Sequence, residues 1–327
     1  MVELEAAEWA KVFESMGTAP AWMTFSGGEP FLRKDLPDII ISAIEICRPN
    51  IVNIPTNGWF TERVLKGVER ICTASPDTQL VINLSIDHHI PERHDEIRGA
   101  PGSWPRLMRT LTGLRALDLP NLTVGVHTVV SDKNQQDFPA ISEGLAALGA
   151  DSYIAEPAEE RVELQTLNTG ITPPGTAFAV AAAAVLKNEE AATGTVARMA
   201  RSLRGEYYER VTRFLDGDAE AMPVCHAGFL SVHIGADGDV WSCCVLSRSF
   251  GNLRDVDFDF QKAWFSDKAE EFRTWMRERR CACPLANAAY TNMLAEPAAA
   301  SRMASGMLGR TRAFPVAAGA GAGAASS

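Results

Sequence analysis

The sequence predicts an α/β protein built on parallel strands, followed by a small cysteine-rich domain. Three observations predict it. Five short apolar segments alternate with helical segments before residue 158, and their C-terminal ends carry small or polar residues. Five of the seven cysteines fall between residues 225 and 283. Strands that alternate with helices pair in parallel through right-handed crossovers, which leaves an α/β barrel or an open doubly wound sheet. In either architecture ligands collect at the C-terminal strand ends.

Each element has a local reason. Trp9, Val12, Phe13 and Met16 recur at helical spacing, so the first nineteen residues read as a helix closing near Gly17. A strand over 21–25 leads into Gly27-Gly28-Glu29-Pro30 and then a helix over Leu36–Cys47, for which Asp35 is a candidate N-cap. Strands follow at Ile51–Thr56, 79–86, Leu122–Val130 and 153–155, with helices over 61–71, 104–117 and 138–148 between them. The polar stretch between Asp87 and Gly102 reads as a loop. Residues 173–215 read as helical. Strands over 231–234 and 240–242, joined by Gly235-Ala236-Asp237-Gly238, form a hairpin within 223–244. A last helix over 267–279 runs into Cys281-Ala282-Cys283-Pro284.

Composition narrows the function. A chain of 327 residues has room for one large domain and a smaller one. Its net charge of −10 opposes phosphate-rich partners, so neither a nucleic acid nor a membrane surface is expected. The acidic start is no secretory signal, and the apolar run over 177–186 is too short for a bilayer, so the chain reads as cytoplasmic. In a reducing compartment, clustered cysteines point to metal or cluster ligation rather than to disulfides. Cys47 and Cys72 lie among apolar residues and read as core. The tail over 298–327, rich in Ala, Gly and Ser, has little to pack and reads as disordered.

Several residues carry candidate chemistry. Adjacent glycines let the backbone approach a ligand closely, and Glu29 just beyond them is suited to a ligand ammonium. A plain strand-to-helix turn is the bland alternative. Ser85 and Asp87 at a strand end suit sugar hydroxyls. Asn57-Gly58 is equally a common turn pair. His88, His89 and His94 lack an evident fourth metal ligand and read as loop histidines. His127 and Glu156 can face substrate, or serve as a core histidine and a helix cap.

Residues 24–36 closely resemble the S-adenosylmethionine (SAM) binding turn of radical SAM enzymes, and Ser85–Asp87 with His94-Asp95-Glu96-Ile97-Arg98-Gly99 resembles that family's ribose-contacting segment. Cys225, Gly238 and Cys243 are spaced as in its SPASM and twitch extensions. The resemblance implies a partial (β/α)6 TIM-like barrel over 1–172 that lacks its first strand. It implies a helical connection over 173–221 and an α+β iron–sulfur domain over 222–297. Gly27, Gly28 and Glu29 are then expected on the methionine part of SAM, Ser85 and Asp87 on its ribose, and Asn57 beside it. Cys225, Cys243, Cys281 and Cys283 are expected to bind an auxiliary [4Fe–4S] cluster, with zinc as the alternative. Cys244 is expected on the opposite face of its strand, and Arg273, Arg277, Arg279 and Arg280 either offset the cluster charge or favour a helix C-terminus.

The chain departs from the family pattern in two respects. A full SPASM domain has more cysteines and a longer spacing than Cys281-x-Cys283, so a one-cluster, twitch-like version fits better. The chain also contains no Cys-x3-Cys-x2-Cys run, its first cysteine being Cys47. A truncated chain or an internal start is therefore expected, with the catalytic [4Fe–4S] cluster belonging to a full-length form. The implied activity is generation of a 5′-deoxyadenosyl radical that abstracts hydrogen from a peptide or small-molecule substrate, with flavodoxin or ferredoxin as electron donor. The alternatives are a non-catalytic metal- and nucleoside-binding paralogue and an α/β enzyme with a structural zinc module.

Overall fold

A computed structural model describes residues 2–161, 164–189, 195–278 and 281–297, and of the helical residues 195–197 only the backbone. The expected tail over 298–327 lies outside the described residues. The chain runs α1 (Ala6–Met16), β1 (Trp22–Thr24), α2 (Leu36–Cys47), β2 (Ile51–Thr56), α3 (Thr61–Ala74) and β3 (Gln79–Ser85). It continues α4 (Pro91–Arg98), α5 (Ser103–Ala116), β4 (Leu122–Val130), α6 (Phe138–Ala146) and β5 (Ser152–Pro157). The helices α7 (Gly175–Asn188) and α8 (Thr195–Leu215) follow. The C-terminal part contains β6 (His233–Ile234), β7 (Asp239–Trp241), β8 (Ser249–Asn252), α9 (Phe260–Trp264), α10 (Asp267–Arg277) and α11 (Ala286–Leu294).

The strands β1 to β5 form one sheet in chain order, each pair parallel, curled into a half-barrel. Alternation along the strands divides their side chains between two faces. Leu80, Ile82 and Leu84 of β3, with Val52 and Ile54 of β2 and Val124 and Val126 of β4, turn to the helices and are buried. Truncating one of these Leu or Ile residues to Ala costs about 2–5 kcal/mol. The opposite, concave face carries Asn53, Asn83, Ser85, His127, Ser152 and Glu156, by the registers Asn83↔Gly125↔Ser152, Ser85↔His127 and Val129↔Glu156.

Gly125 makes that polar layer possible. A Cβ there would lie 2.3 Å from Asn83 Oδ1 and 2.6 Å from Ser152 Oγ. The missing side chain leaves room for Asn83, whose amide donates to Asn53 Oδ1 at 2.8 Å.

The C-terminal part is an antiparallel sheet in the order β6-β7-β8 over a core of Val240, Phe250, Leu253, Phe272 and Met276. Leu4 and Val12 belong to that core, while Phe13, on the same helix as Val12, packs with Ile39, Ala43 and Cys47 of α2. Helix α1 thus joins the two regions.

Several expectations need correction. Asp35 does precede α2 but makes no capping hydrogen bond, because Arg33 takes its carboxylate at 2.8 and 2.9 Å. That contact also holds the Asp35 carboxyl below its usual range. The polar stretch before Gly99 is not all loop: Pro91 opens α4, and Gly99 in the left-handed region closes it. The expectation of helix over 173–215 agrees with the two described helices there, α7 and α8. The hairpin gains a third strand, β8, and α11 follows the last cysteines.

Candidate functional site

The turn after β1 is built for close approach. Gly27 has φ 151° and a Cβ on either Gly27 or Gly28 would meet no atom within 4 Å, so open space faces the pair. Glu29 follows, 8% exposed. Its Oε1 accepts from Phe31 N–H at 3.1 Å and from the Thr56 hydroxyl at 2.8 Å, and its Oε2 accepts from Asn57 N–H at 2.8 Å. One carboxylate therefore ties the ends of β1 and β2 together. Asn57 uses its Oδ1 to accept from Trp59 N–H at 2.9 Å, closing a turn.

The end of β3 is held by the segment downstream. Asp87 is 5% exposed, and its carboxylate lies 2.8 Å from Arg98 Nε and accepts from Val129 N–H at 3.0 Å. The buried His94 ring accepts from Asp87 N–H at 3.4 Å and is pushed down to about 4 by burial. Asp95 caps α5 by accepting from Gly102 N–H, the Ser103 hydroxyl and Trp104 N–H. Each polar member of this run has a structural partner. Ser85 lies on the concave face beside His127 in register, and Asp87 is buried at the strand end within electrostatic reach of His127.

His88 and His89 stack with ring centroids 4.9 Å apart, and burial, with the neighbouring His89 and Arg93 charges, lowers His88. His127 and Glu156 meet on the concave face, Nε2 to Oε1 at 3.3 Å, with side chains 22% and 25% exposed. Burial opposes the imidazolium, but the Glu156 carboxylate outweighs it and His127 is raised above 6.5. Neither residue is the isolated core histidine or helix cap that local reasoning favours. Their pairing depends on the β4–β5 register.

The cysteines come together from three segments. Cys225 and Cys281 share a thiol hydrogen bond that draws Cys225 down to about 6 and, with burial, raises Cys281. Cys243 and Cys283 lie within electrostatic reach of Cys281. Burial pushes Cys283 up to about 12. Three of the four sulfurs accept backbone N–H groups: Cys225 from Ala227, Cys283 from Leu285, and Cys243 from Leu246 at 3.3 Å. N–H donors of this kind stabilise thiolate charge around iron–sulfur clusters, so the donor set suits that group. A single zinc ion draws its sulfurs to within about 3.8 Å of one another. Among the described residues no three Cys, His, Asp or Glu side chains gather closely enough to hold one ion.

Cys244 lies beyond the end of β7, so strand alternation does not place it; its sulfur accepts from Arg161 Nη1 at 3.7 Å. Arg273 is buried, donates to the carbonyls of Gly228 at 2.8 Å and Trp264 at 2.6 Å, and stacks on the Trp264 ring. Arg277 pairs with Glu270 at 3.1 Å. These arginines clamp the domain; Arg279 and Arg280 lie outside the described residues.

Residues 225–284 match the SPASM family, an iron–sulfur cluster-binding domain. The PqqA peptide cyclase of Granulibacter bethesdensis is 30% identical over 150 residues, 46% of this chain and 37% of that protein. The matched part thus spans little more than a third of that relative. Native anSMEcpe with bound AdoMet and Kp18Cys peptide superposes with a TM-score of 0.55 over 86% of this chain and 78% of that one, at 13% identity. Streptococcus suis SuiB bound to precursor peptide SuiA gives 0.57 over 84% and 61%, also at 13%. Likeness at that identity speaks for the fold. No described helix is long and apolar enough to cross a membrane. The half-barrel with its Gly-Gly-Glu turn and the matched cysteine domain make this chain similar to radical SAM enzymes that carry a C-terminal SPASM-type iron–sulfur domain.

Proposed function

We propose that this chain is the SAM-binding and auxiliary-cluster part of a radical SAM enzyme that modifies a peptide. The observation that carries the reading is the convergence at one sheet edge of the open Gly27-Gly28 turn, the anchored Glu29 and the concave face bearing Ser85, His127 and Glu156. Gly27 and Gly28 admit the methionine part of SAM, Glu29 orients its ammonium, and Asn57 and Ser85 line its path. Ser85 and Asp87, the latter held by Arg98 at 2.8 Å, address its ribose. Cys225, Cys243, Cys281 and Cys283 hold one [4Fe–4S] cluster.

SAM in a radical SAM enzyme supplies a 5′-deoxyadenosyl radical, which abstracts hydrogen from substrate. Reductive cleavage needs three thiolates in a Cys-x3-Cys-x2-Cys loop, which these 327 residues do not contain. The chain alone is expected to bind SAM without cleaving it. A peptide substrate is favoured over a small molecule by the relatives named above, and a flavodoxin or ferredoxin is the proposed reductant. The net charge of −10 opposes nucleic-acid and membrane-surface partners, and a cytoplasmic setting is proposed with them excluded.

Anaerobic reconstitution with iron and sulfide, followed by titration with SAM in a calorimeter, tests both halves. Brown protein with about four irons per chain and saturable SAM binding is expected. Stoichiometric zinc without iron would overturn the cluster, and heat-silent mixing with SAM would overturn the cofactor site. 5′-Deoxyadenosine above the no-protein control, after dithionite, would overturn the expectation of no cleavage.

A further inference from the structure

Helix α8 sets two adjacent tyrosines against two different parts of the molecule. The Tyr207 hydroxyl donates at 2.8 Å to the carbonyl of Pro284, the residue after Cys283. The Tyr208 oxygen accepts at 3.0 Å from the backbone N–H of Ala155 on β5. Neighbouring residues on a helix point about 100° apart. One step along α8 therefore reaches from the barrel wall to the cysteine loop. Both tyrosines are fully buried. Tyr207 packs on Tyr208 with ring centroids 5.7 Å apart and on Tyr290 of α11 at 4.8 Å.

The contact restrains the loop where it matters. Pro284 has a locked φ, so the freedom of the segment lies at Cys281, Ala282 and Cys283. A buried carbonyl stripped of its donor has a strong reason to move. The Ala155 side of the strut adjoins Glu156, which faces the concave chamber with His127. The chain after β5 also reaches the cysteine domain, through Arg161 and Cys244.

We propose that Tyr207 is a positioning residue for the auxiliary cluster, holding the Cys281–Cys283 segment in register with the chamber end of β5 through α8. The inference rests on the proposed cluster. A purely structural hydroxyl would change stability alone. A positioning hydroxyl also changes the surroundings of the cluster sulfurs, and these set its potential and spectrum.

The test compares the full parent chain with Tyr207→Phe and with Tyr153→Phe, a loss of a buried hydroxyl that lies beside Thr128 and Ser142, away from the cysteines. Each protein is reconstituted anaerobically with iron and sulfide. Iron content, melting temperature, the spin-resonance spectrum of the reduced cluster and its midpoint potential are then measured. Tyr207→Phe is expected to shift the potential and the spectrum, and Tyr153→Phe to leave both at the parent values.

The metal-free proteins give a second reading. Maleimide labelling of Cys283, located by peptide mapping, is expected to be several-fold faster in Tyr207→Phe alone. Parent-like potential, spectrum and labelling in Tyr207→Phe, or equal changes in both variants, would overturn the tether and leave the proposed function standing. A parent chain that takes up no iron would overturn the cluster and this inference together.

Discussion

In the half-barrel, Ile54, Ile82 and Leu84 are fully buried between sheet and helices, on strands paired along most of their length. In the cysteine domain the strands run two to four residues around Val240 and Phe250, and four of the seven cysteines converge from sequence positions 225, 243, 281 and 283. The first region has a sufficient apolar core of its own. The second is small, and a bound group that cross-links three segments contributes folding energy directly. Loss of the proposed cluster should therefore loosen one region and leave the other in place, and a proposed ligand cysteine should matter more than a barrel residue.

The largest effect is expected at Cys243. Replacing it with Ser removes a thiolate and should abolish or strongly weaken iron binding, whereas Cys244→Ser should retain most of the iron. Metal analysis and visible absorbance after reconstitution read this, and equal loss in both variants would make Cys244 a ligand too. Hydrogen exchange should then show the deprotected amides confined to the cysteine domain. Deprotection that spreads to β2–β4 would break the contrast between the regions.

Gly125→Ala is the matching perturbation in the barrel. Its Cβ would collide with Asn83 and Ser152, at an expected cost of about 1–3 kcal/mol. Asn83→Ala in the same chain should recover part of that loss, because the two positions share one space. Chemical denaturation checks both, and a Gly125→Ala chain as stable as the parent would mean that the concave layer repacks freely.

Glu29→Gln keeps the shape of the turn but removes the charge that three donors address and that SAM's ammonium would meet. SAM affinity should fall about tenfold or more by calorimetry, since hydrogen bonds to charged groups are worth about 1.5–3 kcal/mol. Unchanged affinity would remove Glu29 from the cofactor site.

The smallest effect concerns pH. His127 is raised above 6.5 in the folded chain by Glu156, once the opposing burial is overcome. The pair therefore contributes stability that is fully present below about pH 6.5 and is lost as pH rises through the higher folded value. Glu156→Gln should flatten that part of the stability profile, and the His127 ring resonances should titrate lower in the variant. A profile identical in parent and variant would show that the two side chains do not couple.

Much of the candidate site is legible in the sequence because its signals are local. Gly27-Gly28-Glu29 depends on backbone freedom and one carboxylate within a few residues, and the Cys225–Gly238–Cys243 spacing follows from a short hairpin with Gly238 at φ 89°. Helix α4 was hidden because Pro91–Arg98 is polar nearly throughout and offers no apolar stripe to the eye. Strand β8 was hidden because Ser-Phe-Gly-Asn has neither length nor alternation.

By itself the sequence determined the alternation of strand and helix, the parallel pairing it requires, the glycine turn and the cysteine cluster. These rest on periodicity, turn chemistry and spacing, all set by residues close in the chain. Tertiary structure alone decided which polar groups are spent within the protein. It gave Asp87 to Arg98, joined His127 to Glu156 across the β4–β5 register, and placed Tyr207 against Pro284 and Tyr208 against Ala155. Those pairings join residues up to 77 positions apart. Their physical cause is that a buried polar group must find a partner, and which partner it finds depends on strand register and helix packing that no local pattern encodes.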